Sequence, residues 1–187
     1  MQCELNQSYS TIDNSIISES NNCMNSFENK TSEEIINILN LFIEKSKESP
    51  NYSQKLKKQE KSIFNAKKIP KISLKEYLER IKFYTEIENN TLIISLIYID
   101  RLLQNTNLIL TPYNIHRILF SSIILALKYN EDINYDFSYY SKVAGISIKE
   151  LKKLESEFVY LIDFSLYVQT EQFDKYKEYL LNSGDEN

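Results

Sequence analysis

The sequence is short of residues that break or cross-link a chain. Its 187 residues include two glycines, three prolines and two cysteines. An all-β or α/β fold normally needs more turn glycines, so this scarcity favours helices joined by short connections. Two thiols cannot form a disulfide framework, and no metal-ligand spacing surrounds Cys3 or Cys23. We therefore expect an intracellular all-α protein, in the nucleus, the cytoplasm or both, without a metal ion or other cofactor.

Long apolar runs and a strong charge of one sign are also missing. The apolar stretches 92–99 and 118–127 are much shorter than the roughly 20 residues that span a bilayer, and no N-terminal segment resembles a signal peptide. The net charge of −4 argues against a general nucleic-acid binder. A lone histidine, His116, without a phosphate loop or a nucleophile–base motif argues against an enzyme. We expect no membrane, nucleic-acid or small-molecule partner.

Composition and helix signals divide the chain into five segments. They are a disordered tail over residues 1–30, an amphipathic helix over 31–46, a linker over 47–72, a helical domain over 73–182 and a tail over 183–187. The first tail is rich in Ser, Asn and Gln and shows no periodicity. Thr31 and Glu34 have the spacing of a capping box, which predicts that a helix begins there. Pro50 ends that helical pattern.

The linker carries a run of lysines that is offset locally only by Glu60. Its members are Lys55, Lys57, Lys58, Lys61, Lys67, Lys68 and Lys71. Such a run is typical either of a nuclear-import signal or acidic-partner contact, or of a solvated, mobile connector. We interpret it as the connector.

Helix signals recur regularly after residue 72. The predicted helices cover residues 73–84, 90–104, 112–129, 137–144, 147–164 and 171–182. Ser73 and Ser147 open capping boxes, and Thr111-Pro112 reads as an N-cap followed by proline at the first helical position. The third of these helices is apolar nearly all round, which is typical of a helix surrounded by others. We predict a five-helix bundle around this central helix, followed by a C-terminal helix.

Three charged residues fall on apolar helix faces. Asp100 needs a partner because a desolvated carboxylate is costly, and Arg80 on the preceding helix is our candidate for a structural ion pair. Lys128 lies in a last helical turn, where the helix dipole favours a cation. Lys128 and Glu155 either lie separately at the rim, with Glu155 pairing locally with Lys152, or meet beside an apolar patch. Together they could hydrogen-bond to a partner's backbone.

These charges lie within motifs that resemble the cyclin box of the P-type (U-type) cyclins, the class of the yeast phosphate-regulatory cyclins. The stretch Tyr-Ile-Asp-Arg at 98–101 resembles part of the second helix of that box. Further matches are at 77–81 for the first helix, at 114–119 and 126–129 for the third, and at 154–158 and 163–166 for the fifth. The order and spacing hold from about residue 33 to 180.

The resemblance implies a regulatory subunit with a single cyclin box that binds and activates a cyclin-dependent protein kinase and is not itself an enzyme. It implies that Lys128 and Glu155 contact the kinase and that Arg80 and Asp100 form an internal ion pair. It also implies apolar kinase contacts at Tyr129, Leu125, Val159 and Phe164. The alternatives are a cyclin-fold transcription adaptor and a scaffold that binds a kinase without activating it.

Overall fold

The computed structural model describes residues 14–132 and 135–182, with side chains from residue 30 onward, and the regular structure within them is helical. The helices are α1 (Asn14–Glu48), α2 (Tyr52–Gln59), α3 (Leu74–Thr85), α4 (Asn89–Asn105), α5 (Ile115–Asn130), α6 (Phe137–Ala144), α7 (Ile148–Leu161) and α8 (Thr170–Asn182). This confirms the predicted all-α fold. Among the described helices, none is long and apolar enough to cross a membrane.

Helix α5 lies at the centre of a five-helix unit that runs from α3 to α7. It packs against α3, α4 and α7, while α1 and α8 pack against α4 and against each other. Every residue of α5 from Ile118 to Leu127 is buried. The buried hydroxyls of Ser121 and Ser122 donate to the carbonyls of Arg117 and Leu119, so they need no partner outside the helix. The predicted central helix is confirmed.

The start of α5 differs from the prediction. The helix begins at Ile115 instead of Pro112. The buried side chain of Asn114 accepts a 2.8 Å hydrogen bond from the Thr111 amide and donates a 2.9 Å bond to the Ile109 carbonyl. The Asn114 amide also donates a 3.1 Å bond to the Thr111 carbonyl, so residues 111–114 form a turn before the helix begins.

The capping boxes predicted for the five-helix unit form to different extents. At α3, Ser73 accepts from the Glu76 amide, and the Glu76 carboxylate accepts from the Ser73 amide. At α7, Ser147 accepts from the Glu150 amide, but the Glu150 carboxylate pairs with Arg117 of α5. The second box is therefore half formed, because Glu150 joins two helices instead of closing its own.

Helix α1 is longer than predicted. It begins at Asn14, so residues 14–30 of the expected tail are helical, whereas residues 1–13 lie outside the described residues. Thr31 is buried in the middle of α1, and its prediction as a cap was wrong. No glycine or proline occurs between residues 14 and 49, so nothing in the backbone stops the helix before Pro50. The predicted tail over 183–187 also lies outside the described residues.

Helix α1 docks on α3 through polar contacts as well as through apolar packing. The Lys75 ammonium of α3 lies 2.9 Å from the Glu33 carboxylate of α1, and Lys82 donates a 2.8 Å bond to Ser32. Ile35, Leu39 and Ile43 of α1 are buried in the main core. The amphipathic helix expected after Thr31 is thus part of the folded domain.

The lysine-rich segment contains helix α2 and is packed against the domain, which corrects the prediction of a mobile connector. Gln59 is buried, and its amide exchanges two hydrogen bonds with the backbone of Ile109, at 3.2 and 3.0 Å. Phe64 is fully buried, with its ring edge-on to that of Phe158 at 6.1 Å. The sequence did not reveal Gln59 and Phe64 as anchors, because neither belongs to a periodic apolar pattern.

Candidate functional site

Lys128 and Glu155 meet on the surface formed by α5 and α7. The Lys128 Nζ lies 2.6 Å from the Glu155 Oε1, and the two side chains are 30% and 16% exposed. Lys128 comes from the last turn of α5, and Glu155 from the middle of α7. The structure therefore brings together the two charges that sequence reasoning considered both separately and as a pair. Lys152, the other partner considered for Glu155, forms no ion pair with it among the described residues.

A third helix completes the surroundings of the lysine. The Phe137 ring, at the start of α6, lies 3.8 Å from the Lys128 Nζ, within the range of a cation–π interaction. Among the described residues, the Lys128 ammonium donates one hydrogen bond, to Glu155. An ammonium group has three donors, so Lys128 can still donate to an incoming carbonyl. Sequence reasoning missed Phe137 because the spacing of residues within α6 does not show that this helix packs beside Lys128 of α5.

The four predicted apolar contacts lie at different depths. Tyr129 is 51% exposed and Phe164 67% exposed, so both rings are available to a partner. Val159 is partly buried against the core. Leu125 is only 5% exposed and belongs to the core itself. A partner can therefore contact the rings directly, whereas Leu125 supports the surface from beneath.

Exposed aromatic rings line a shallow cavity that includes Tyr129, the residue after Lys128. Tyr129, Phe164 and Tyr167 surround it together with Arg101, and its volume is about 520 Å³. Tyr167 is 69% exposed, like Tyr160 on the neighbouring helix. Sequence reasoning did not select Tyr167, although it directly follows the motif at 163–166. We call Lys128, Glu155, Tyr129, Phe164 and Tyr167 the α5–α7 face.

Helix α4 holds the segment after α7 in place through three successive carbonyls. Arg101 donates to the carbonyls of Ser165 and Tyr167, at 2.6 and 3.0 Å. The buried Tyr98 donates a 2.7 Å bond to the carbonyl of Leu166. Burial raises the pKa of the Tyr98 phenol, so it remains a donor at neutral pH. Tyr98 and Arg101 of the Tyr-Ile-Asp-Arg motif thus position residues 165–167, and with them the backbone of Tyr167.

The backbone at the end of α7 turns through two left-handed residues. Asp163 and Phe164 have φ values of 53° and 55°. This conformation costs a residue other than glycine about 1–2 kcal/mol. The Phe164 amide donates to the Val159 carbonyl at 3.0 Å, which closes the turn and leaves the Phe164 ring at the surface. Backbone strain and an exposed ring coincide here, as they often do at functional surfaces.

The predicted ion pair between Arg80 and Asp100 does not form. Arg80 donates a 2.9 Å bond to the Lys142 carbonyl of α6. Asp100 accepts 2.6 Å bonds from Gln104 of its own helix and from Tyr176 of α8. The two residues point toward different neighbouring helices, and neutral donors satisfy the half-buried carboxylate. Spacing within α4 showed that Asp100 needs a partner but could not show that α8 supplies one.

His116 is packed into the domain. Its Nε2 lies 3.1 Å from the Ile72 carbonyl, and its ring lies 5.2 Å from that of Tyr77. Burial lowers the pKa of His116, which favours the neutral ring. Across the part of the chain that the structure describes, no group of three or more His, Cys, Asp or Glu side chains could hold a metal ion.

Comparison with known proteins identifies a family that matches most of the chain. A family model described as Cyclin matches residues 8–166. The match spans the two helices that carry the charged pair and the segment that α4 holds in place. The α5–α7 face therefore lies within the matched region, apart from Tyr167 just beyond its end.

Individual relatives agree with the family match. Cyclin-U2-1 of Arabidopsis thaliana is 38% identical over 115 residues, covering 61% of this chain and 52% of the relative. Cyclin-U4-1 of the same plant is 32% identical over 149 residues, covering 78% and 74%. The PHO85 cyclin-like protein psl1 of Schizosaccharomyces pombe is 37% identical over 122 residues, covering 64% and 50%. Except for Cyclin-U4-1, the chain spans about half the length of these curated relatives.

Proposed function

The chain belongs to the cyclin family, and we propose that it is a regulatory subunit that binds and activates a cyclin-dependent protein kinase. One observation carries the proposal: the Lys128–Glu155 pair lies at the surface beside exposed rings, with hydrogen-bonding capacity left over. A relative whose name includes PHO85 cyclin-like supports a kinase partner. The chain itself then contributes no catalytic residue.

The α5–α7 face would bind the kinase with different parts performing different tasks. Tyr129, Phe164 and Tyr167 would bury apolar area, the dominant favourable term in most protein associations. Lys128 would donate to a backbone carbonyl of the kinase, and Glu155 would accept from a backbone amide. Such charge-assisted hydrogen bonds set the register of two surfaces as well as adding affinity.

Activation would follow from a difference in affinity between two kinase conformations. A protein kinase is active when the glutamate of its αC helix pairs with the lysine of strand β3 and its activation loop is ordered. A subunit that binds the inward arrangement of αC more tightly than the outward one shifts the population toward the active state. The rigid attachment of residues 165–167 to α4 suits this role, because a preformed surface loses little entropy on binding.

The test is purification of this chain from its native cells with any bound kinase, followed by a kinase assay. Wild type is compared with a Lys128→Ala/Glu155→Ala variant. A Lys75→Ala/Glu33→Ala variant is the matched control, because it removes another surface ion pair on α1 and α3. We expect wild type and control to recover an active kinase and the first variant to recover none.

The other outcomes each reject a definite part of the proposal. Recovery of a kinase that stays inactive would replace activation by a scaffold role. Recovery of nucleic acid or transcription factors without a kinase would favour a transcription adaptor. Equal kinase recovery by all three proteins would move the binding site away from the α5–α7 face.

A further inference from the structure

We propose that a second surface, beside α2, binds phosphate groups on a peptide segment of a partner protein. The site is a cavity of about 600 Å³ between α2, the end of α4 and α7. Lys55, Lys58 and Lys61 line it, and Glu157 and Leu161 of α7 belong to the same lining. We call it the lysine cavity. It shares no residue with the α5–α7 face.

The positive charge of the lysine cavity is not compensated by the protein. Within the described residues, none of its three lysines forms an ion pair within 4 Å. Glu157 is the one acidic residue in the lining. This excess of lysine occurs in a chain whose net charge is −4, so the composition of the whole chain does not explain it. Uncompensated charges that converge on a concave surface attract an anion.

The lysines are held on a fixed support. Gln59, the last residue of α2, is buried, and its side chain hydrogen-bonds to the backbone amide and carbonyl of Ile109. Asn65 donates a 2.6 Å bond back to the Gln59 carbonyl, and Phe64 is buried against Phe158. Gln59 lies between Lys58 and Lys61 in the chain, so this anchor fixes the backbone from which both lysines project. A site assembled before its ligand arrives binds with a smaller loss of entropy.

The lining favours phosphate over other anions. A phosphorylated side chain carries about −1.5 to −2 charges at pH 7 and has three strongly accepting oxygens. Besides the lysines, the cavity offers neutral side chains that can donate, which are Asn51, Gln54, Ser62 and Asn107, whereas the Thr106 hydroxyl already donates to the Leu102 carbonyl. Cationic and neutral donors therefore lie in the same lining. Nucleic acid is less suitable, because a general nucleic-acid binder is usually strongly basic and the net charge of this chain is −4.

The identification of the phosphate as one on a kinase substrate rests on the proposed function. A kinase bound at the α5–α7 face transfers phosphate to its substrates, so a substrate phosphorylated once could be retained by the lysine cavity during further transfers. Glu155 and Glu157 are two residues apart in α7 and thus point about 200° apart around the helix. Kinase and phosphopeptide would therefore bind on different sides of α7.

Binding is tested on the full chain without a kinase, by fluorescence anisotropy. The probe is a short labelled peptide with two phosphoserines, compared with its unphosphorylated form and with a form carrying glutamates. The cavity variant is Lys55→Gln/Lys58→Gln/Lys61→Gln. The control is Lys57→Gln/Lys68→Gln/Lys71→Gln, which removes the same charge from exposed lysines of the same segment that do not line the cavity.

We expect the cavity variant to bind the phosphopeptide about tenfold more weakly or worse, and the control to change affinity no more than about twofold, because charge pairs act over short distances in salt. Glu157→Gln should tighten binding, because it removes a repulsive carboxylate. Lowering the pH from about 7.5 to 5.5 should weaken binding of the phosphopeptide but not of the glutamate form, since the second phosphate pKa is about 6.

Equal losses in the cavity and control variants would overturn the site. Equal affinity for the glutamate peptide would overturn the phosphate assignment, and tighter cavity-dependent binding of a single-stranded oligonucleotide would overturn the peptide. In the kinase pull-down, the cavity variant should still recover an active kinase. Kinase recovery without phosphopeptide binding rejects this site alone, whereas the reverse result rejects the proposed function alone.

Discussion

The phenol of Tyr176 in α8 donates a 2.6 Å hydrogen bond to the carboxylate of Asp100 in α4. Burial, and then the bond to Asp100, raise the pKa of Tyr176, so the phenol stays protonated. The bond joins the C-terminal helix to the second helix of the five-helix unit. It also satisfies a carboxylate that would otherwise depend on Gln104.

Removing this hydroxyl should therefore destabilise the fold. We expect Tyr176→Phe to lower the free energy of unfolding by about 1.5–3 kcal/mol, the usual value for a hydrogen bond to a charged group. Urea unfolding at neutral pH measures it. The matched control is Tyr160→Phe, because Tyr160 is 69% exposed and has no described hydrogen bond. Equal stability of Tyr176→Phe and wild type would show that α8 is not held by this bond.

Exchanging the charges of Lys128 and Glu155 separates their structural role from their binding role. In a Lys128→Glu/Glu155→Lys variant the pair can re-form, so the free energy of unfolding should stay within about 1 kcal/mol of wild type. Kinase binding should fall by roughly 2–5 kcal/mol, because donor and acceptor are reversed toward the partner's backbone. Calorimetric titration with the kinase checks this. Normal affinity of the exchanged variant would contradict direct hydrogen bonds from the pair.

The left-handed turn at Asp163 and Phe164 predicts a conflict between stability and binding. Glycine adopts this conformation without strain. Phe164→Gly should therefore leave the free energy of unfolding unchanged or raise it by up to about 1 kcal/mol, while kinase binding weakens because an exposed ring is lost. Asp163→Gly is the control, since it relieves the same strain and keeps the ring. A similar loss of binding in both variants would assign the effect to the backbone turn instead.

The lowered pKa of His116 predicts a loss of stability in mild acid. The unfolded chain takes up a proton near the ordinary histidine pKa of about 6.5, whereas the folded chain resists it until lower pH. The contribution of His116 is thus complete above about pH 6.5 and declines as the pH falls toward the folded pKa. Unfolding measured at several pH values should show a smaller decline for His116→Gln. Parallel curves would place the titration elsewhere.

Gln59 predicts how firmly α2 is attached. Gln59→Ala leaves the buried Ile109 amide without its partner, while the Ile109 carbonyl keeps a bond from Asn114. The expected loss is about 1–3 kcal/mol of unfolding free energy, the penalty for one unsatisfied buried group. Gln54→Ala on the exposed side of the same helix should cost almost nothing. Similar values for both variants would show that α2 is not anchored through Gln59.

Several features could be read from the sequence because their causes are local. The apolar residues on every side of α5 marked it as a buried helix, because such a helix has to be surrounded by others. The Ser73–Glu76 box formed as predicted, because both partners lie within one helical turn. Two motifs at fixed spacing also identified Lys128 and Glu155, which the structure places 2.6 Å apart.

Other features depended on which helices become neighbours. Spacing showed that Asp100 needs a partner, but the choice of Tyr176 over Arg80 depends on where α8 packs. The lysine-rich segment was read as a connector, and only the distant backbone of Ile109 shows that α2 is anchored. By itself the sequence determined most helices of the five-helix unit, the central core and the family, but not α2 or the first half of α1. The tertiary structure decided which polar groups bond between helices, because the spacing of residue types along one helix does not show which other helices pack against it.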